Sequence, residues 1–516
     1  MAVTWNFENA AHLLRRAAFG GTTEEIQAFV LAHADVGEAV DDLLSFATSS
    51  KRPPKGGNDF YGAKFKQAKW WLKTMLKAKA PKDALREKLV LYWHGHLCSG
   101  FNKQESYGSS NTAIQNGLFR RYAKGNFRDL VRDFNRDPAN LVYLDGIINY
   151  ATNDGVHVAA NENFGREIME LFTLGISQFD ALGSNDPTKP NYSESDVHNL
   201  ARALTGWTYI DKTVGVWNQD HWDGGQYDDD GDDLPDDVTI FGVTNNNYKI
   251  GSLDDLPAPA DDVLQILLDR EDDAGNKQVA MFVCRKLWTY FAYPAPAPGL
   301  KTLLEGFAAI LVASDWEIAP VLDAMFNHDE FYSSRAKTRT VKNPVDFMVG
   351  TLRNLGVKSV GKPIGDSDDE PVDLLTEMGM ELFEPPNVAG WPGGKRWITT
   401  GTLVNRWEFA RRLAEATSGT SVISLSTMLG GLIGNGAASP AAIADAIIQR
   451  IGLDGSDVAT FRGGVPLTSN QRQSVIDFLT IGGVTLNLSN ESTDDANDFV
   501  RGAIALVLQA AESQIF

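Results

Sequence analysis

Apolar residues recur with helical spacing along most of this 516-residue chain. Segments 23–48, 60–79, 82–97, 113–137, 160–175, 193–207 and 260–293 carry them at i, i+3, i+4 and i+7. The pattern resumes over 300–326, 341–355, 371–382, 399–416, 440–451, 470–479 and 494–512. Start signals sharpen several boundaries. Ser193-Glu194-Ser195-Asp196 fits a capping box ahead of Val197, where side chains satisfy the first free N–H groups. Pro81 and Pro344 suit first turns, where a missing N–H costs nothing.

Three stretches break the period. Residues 208–259 are rich in Asp, Asn, Gly, Thr and aromatics, with short β-prone pieces such as Val238-Thr239-Ile240-Phe241. They predict a long excursion holding a small hairpin. EPPNVAGWPGGKRW (384–397) packs Pro and Gly between two helices, and 417–439 is rich in Gly, Ser and Ala. The expected fold is mainly all-α: a large multi-helix domain with a long irregular, short-β excursion. Its expected organisation is a helical body over 1–416, a hinge-like linker over 417–439, and a C-terminal helical segment over 440–516 packed on the body. No internal repeat is evident.

The totals narrow the class. Hydrophobic residues are 43% of the chain, enough for a sizeable core. A net charge of −20 repels phosphate backbones and anionic lipid, so no nucleic-acid partner is expected. No run of about 18 apolar residues occurs, so no membrane span is expected. The start, MAVTWNFENAAHLLRRAAFGG, lacks a basic region followed by an unbroken apolar core and does not read as a signal peptide. Cys98 and Cys284 leave two readings, a disulfide or two buried thiols, with thiols favoured; they cannot make a four-cysteine zinc site.

Polar residues inside apolar arcs are the candidates for chemistry. In ALREKLVLYWHGHL (84–97), Leu85, Leu89, Val90, Tyr92, Trp93 and Leu97 fill one arc of a helical wheel. His96 falls inside it and His94 on its edge, about 200° apart, so one helix cannot aim both at a single metal. His96 is either a core histidine or an acid, base or ligand. In NENFGREIMELFTLG (161–175), Glu167 falls between apolar positions, with Asn163, Arg166 and Glu170 close by. Such a carboxylate is either paired to an arginine, such as Arg86 or Arg202, or is a general acid or base. Trp207, Trp391 and Trp397 look exposed in Gly-rich contexts and suit stacking on a sugar, or loop packing. The run SSRAKTRTVK (333–342), with Arg335, Lys337, Arg339 and Lys342, reads as a solvated loop or an anion contact, the loop being favoured. No GxSxG, P-loop, HExxH or helix-opening GxGxxG occurs.

Taken together, several segments resemble the bacterial domain of unknown function numbered 1800. They are HLLRRAAFG (12–20), LREKLVLYWHGHL (85–97), NENFGREIMELFTLG (161–175), DVHNLARALTGW (196–207), FVCRKLWTYF (282–291), VKNPVDFMVGTLRNLG (341–356) and FEPPNVAGWPGGKRW (383–397). The resemblance implies a large helical fold, export to the periplasm or beyond, and a sulfatase-like partner protein. It carries over no catalytic residue. Gly95 stands where the family commonly has asparagine, and no export signal is apparent.

The stretch YDDDGDDLPDD (227–237) places Asp228, Asp230, Asp232, the Leu234 carbonyl and Asp236 at alternate positions of a calcium loop. It is similar to the loops of thrombospondin type 3 and dockerin-like repeats. Asp233 replaces the usual glycine and Thr239 the closing glutamate. Bound Ca2+ and a solvated acidic loop are the two readings, with Ca2+ favoured. Two functions follow. One is a hydrolase or lyase on an extracellular polymer such as polysaccharide, with Glu167, His96 and Glu170 as catalytic candidates. Arg166, Arg202, Trp207, Trp391 and Trp397 would then be substrate contacts. The other is a non-enzymatic, calcium-stabilised scaffold that partners a sulfatase-like protein.

Overall fold

The structure, a computed structural model, describes residues 3–55, 59–149, 152–153, 156–157, 160–210, 214–217, 239–244, 259–359, 370–416, 422–429, 439–452, 469–481, 484–485 and 493–516. The fold is mainly all-α. The helices that frame the candidate site are α1 (Phe7–Ala18), α2 (Pro81–His96), α3 (Gln278–Phe291), α4 (Pro344–Asn354), α5 (Thr400–Glu415) and α6 (Thr493–Gln509). Among the described residues, every sheet is a two-stranded antiparallel hairpin.

Local chemistry sets the helix ends. Pro81 and Pro344 occupy first turns, and the Ser193–Asp196 capping box opens the helix Glu194–Ala203. A cap of this kind contributes about 1 kcal/mol. Several long periodic segments divide in two. Residues 260–293 form Pro259–Asp269 and α3, and 300–326 form Leu300–Ala313 and Ile318–Asn327. The α-helix Glu162–Glu167 widens into a π-helix over Ile168–Thr173, closed by Leu174 N–H donating to Met169 O at 2.9 Å. The spacing of about 100° per residue fails beyond Glu167 for that reason.

The core follows from α2, which is buried on every side. Leu85, Leu89, Val90 and Trp93 are fully enclosed. Large apolar side chains buried in this way each contribute about 1.5–3 kcal/mol. The same helix buries Glu87 and Lys88, and both are paired: Glu87 with Arg120, and Lys88 with Asp346 on α4. His94, expected at the edge, is also enclosed. Its Nε2 accepts from Phe383 N–H at 3.2 Å, and Trp71 and Trp391 lie edge-on to the ring.

The C-terminal helices lie against the body. Arg501 donates to Ala414 O at 3.0 Å, and Trp407 Nε1 to Gln509 O at 3.0 Å. Residues 340–342 run beside 514–516, joined by Lys342 N–H to Gln514 O at 2.8 Å and Phe516 N–H to Thr340 O at 3.2 Å. Most of 417–439 lies outside the described residues.

Of the excursion, two hairpins are described. Trp207–Ile210 pairs with Val214–Trp217, and Thr239–Ile240 with Val243–Thr244. The second is anchored where Asp196 accepts from Phe241 N–H at 2.8 Å and Asn199 donates to Thr239 O at 2.9 Å. Cys98 and Cys284 are buried free thiols. Burial pushes the Cys98 thiol up to about 12 and raises that of Cys284 as well.

Candidate functional site

A cavity of about 270 Å³ lies where α2, α3, the approach to α4 and the Gly/Pro loop 384–397 meet. Helix spacing builds two of its walls. Tyr92 and His96 stand at i and i+4 on α2, and Lys286 and Tyr290 at i and i+4 on α3. The Tyr92 and His96 rings stack, and Tyr92 meets Tyr290 at 5.2 Å. Thr289, Thr340, Asn343 and Asp346 add polar groups, and Phe516 closes one side. Trp391, Pro392, Gly393, Gly394 and Trp397 form the outer wall, with Pro392 exposed to solvent.

Gly390 lets that wall approach. A Cβ on Gly390, whose φ is +84°, would stand 2.3 Å from Gly95 O. Gly95 offers no side chain, so the Trp391 ring lies against the helix backbone.

His96 is buried, with 5% exposure. Its Nε2 lies 3.1 Å from Phe172 O. A carbonyl only accepts, so Nε2 carries the proton and Nδ1 keeps a lone pair. Burial, followed by repulsion from Lys286, pushes the imidazole down to about 3, so the ring is neutral. Burial also lowers the Lys286 ammonium. Lys286 Nζ sits 5.5 Å from the centre of the Phe282 ring. Among the described residues it has neither a hydrogen bond nor an ion pair. Among the described residues, three fully buried polar atoms on the cavity's lining residues also lack a hydrogen-bond partner: His96 Nδ1, Tyr92 Oη and Trp391 Nε1.

Behind Tyr290 and Phe516 lies a cationic layer. Lys88 pairs with Asp346, whose Oδ2 also accepts from Asn343 Nδ2 at 2.8 Å. Arg16 donates to the Phe291, Tyr290 and Ala292 carbonyls at 2.6, 3.0 and 2.9 Å and covers the Phe516 ring at 4.0 Å. Arg406 donates to Lys342 O at 2.9 Å, and Lys342 to Ser513 O at 3.0 Å. Burial pushes Lys342 down to about 7 and Lys88 to about 8, with Asp346 opposing in both cases.

A family model described as "Protein of unknown function (DUF1800)" matches residues 12–515. The chain belongs to this family. Searches of curated proteins and of solved structures found no match to this DUF1800 chain.

Of the residues singled out in the sequence, His96, Trp391 and Trp397 come together on the DUF1800 cavity. Glu167 does not line it. It is half-buried, its carboxyl raised by burial and by Glu170, with Arg166 opposing. Arg86, one suggested partner for Glu167, instead meets Asp83 at 3.1 Å and Glu87 at 3.6 Å. Glu170 accepts from Tyr192 Oη at 2.7 Å, and Arg166 bridges Glu162 and Glu194 at the surface. Arg202 is buried and does not line the cavity. The tryptophans are less exposed than they looked. Trp207 is 4% and Trp397 6% exposed: Arg136 stands 5.4 Å from the centre of the Trp207 ring, and the loop folds inward around Trp397. The basic run 333–342 is also not a uniformly solvated loop. Lys337 is buried against Glu8, and Lys342 belongs to the cationic layer.

Sequence reasoning missed Lys286, Lys88 and Asp346. All lie within the family-like segments 85–97, 282–291 and 341–356, as charges inside largely apolar runs. Asp228, Asp230, Asp232, Leu234 and Asp236 lie outside the described residues. Among the described residues, no group of three or more His, Cys, Asp or Glu could hold a metal ion, and no helix is long and apolar enough to cross a membrane.

Proposed function

We propose that this DUF1800 protein binds a saccharide ring of an extracellular polymer in the cavity walled by Trp391 and Trp397, and acts on it as a hydrolase or lyase. The observation that carries this reading is the set of unpartnered atoms on the lining residues. Trp391 Nε1 donates, His96 Nδ1 accepts and Tyr92 Oη does both. Sugar hydroxyls donate and accept at once, so they complement such a set. Indole faces suit the apolar face of a ring. The volume of about 270 Å³ lies just below the range of about 300–1,000 Å³ for small-molecule sites, which suits one ring rather than a long segment.

In this reading the proton acceptor is His96 Nδ1, with Lys286 beside it to stabilise negative charge; Glu167 does not line the cavity. The experiment is a panel of neutral and acidic polysaccharides. Retention is followed by affinity electrophoresis, and cleavage by new reducing ends or by ultraviolet absorbance of an unsaturated product. Trp391→Ala should weaken binding at least tenfold. If the wild-type protein retains no glycan, the proposal fails.

The second reading is the calcium-stabilised scaffold with a sulfatase-like partner, placed in the periplasm or outside the cell. It is supported by the tie of His96 Nε2 to Phe172 O, which makes the histidine a structural link, and by the ligand spacing of 228–236. Calcium should then raise the melting temperature, and Asp230→Asn should abolish the rise. An identical melting curve with calcium and with chelator removes the metal from this reading.

A further inference from the structure

Lys286 points to the charge of the ligand. Lys286 is half-buried on the cavity wall; among the described residues it has no carboxylate partner, and its neighbours are His96, Cys98, Arg285 and the Phe282 ring. The layer behind the wall adds Arg16, Lys88, Lys342 and Arg406 around the Asp346 carboxylate. This positive region sits in a chain of net charge −20. A neutral ligand would strip more water from the half-buried Lys286 and return no countercharge, which is costly for a cation. An anionic group would supply the countercharge and a charge-assisted hydrogen bond.

We propose that the ring taken by the cavity is an acidic sugar, with its carboxylate or sulfate ester held by Lys286. The inference rests on the saccharide reading and narrows it to a substrate class. Such a group would also cancel the repulsion that Lys286 exerts on His96, leaving the imidazole a better proton acceptor in the complex than in the free protein.

The test uses the full chain and four probes: D-glucose, D-glucuronate, glucose 6-sulfate and inorganic sulfate. Binding is titrated by NMR at low and high salt. At least one acidic sugar should bind about 10- to 100-fold more tightly than glucose, the worth of one hydrogen bond to a charged group. High salt should narrow the gap. Lys286→Met should remove the preference for the acidic sugars over glucose, while Lys286→Arg should keep part of it.

Equal affinity of the wild-type protein for glucose and both acidic sugars overturns the inference and leaves the saccharide reading standing. Tight binding of inorganic sulfate with no gain from the sugar overturns the saccharide reading. Binding of none of the four overturns both. The comparison among ligands is made on the wild-type protein, so it stands even if Lys286→Met does not fold.

Discussion

Asp346→Asn tests the charge balance around which α1, α2, α4 and α5 meet. Asp346 is 5% exposed and its partner Lys88 1%. One carboxylate oxygen takes the Lys88 ammonium, and the other takes Asn343 Nδ2 at 2.8 Å. An asparagine keeps one acceptor and turns an NH2 toward either Lys88 or Asn343, both of them donors. It also removes the negative charge that favours the charged forms of Arg16, Lys88, Lys342 and Arg406.

Breaking a buried pair from one side costs about 3–5 kcal/mol, a large part of a total stability of about 5–15 kcal/mol. Urea unfolding followed by tryptophan fluorescence and by circular dichroism reads the loss, with coincident curves as the check on a two-state description. The double variant Lys88→Met/Asp346→Leu should recover much of it, because two apolar groups replace two charges. A loss below about 1 kcal/mol for Asp346→Asn, or a double variant no more stable than the single, would refute the reasoning.

Lys342 gives a pH signature. Its folded value of about 7 lies below the unfolded value of about 10.4, so the unfolded chain binds more protons between them. Stability contributed by this group therefore rises with pH through that window, with a slope approaching about 1.4 kcal/mol per unit. Lys88 adds its own rise from about 8, so the interval from pH 7 to 8 reports Lys342; the wild-type protein should gain stability there relative to Lys342→Met in matched urea titrations. The two glycines at the loop contact should behave oppositely in thermal melts. Gly390→Ala should cost about 2 kcal/mol or more, since its Cβ would strike Gly95 O at a positive φ. Gly95→Ala meets only Trp391 at 3.4 Å and gains helix propensity, so it should stabilise by up to about 1 kcal/mol.

Helical period and end signals made the fold legible, because each helix buries a face and starts at a residue that solves its free N–H groups. The wheel placed His96 correctly inside the buried arc of α2. It could not show that α2 is buried all round, because Glu87, Lys88 and His94 look solvated until their partners arrive from Arg120, Asp346 and Phe383. The same limit hid Lys286, a cation whose meaning depends on a helix nearly two hundred residues away. Glu167 stands half-buried with its carboxyl raised, off the cavity lining. It sits at the last α turn before the π-helix, where a fixed angle per residue stops describing which side chains share a face. The tryptophans divided because Gly and Pro turn 384–397 inward over α2, whereas Trp207 opens a separate hairpin and is covered by Arg136.

The two enclosed thiols turn the molecule into its own timekeeper. With their acidity suppressed by burial, Cys98 and Cys284 present almost no thiolate at neutral pH, so a thiol reagent must wait for the chain to open. Their addresses differ. The Cys98 sulfur lies beside Gly390, at the seam between α2 and the tryptophan loop, while Cys284 sits in the core face of α3. Labelling rates at the two positions would separate lifting of the loop from unfolding of the body, with no probe added to the protein.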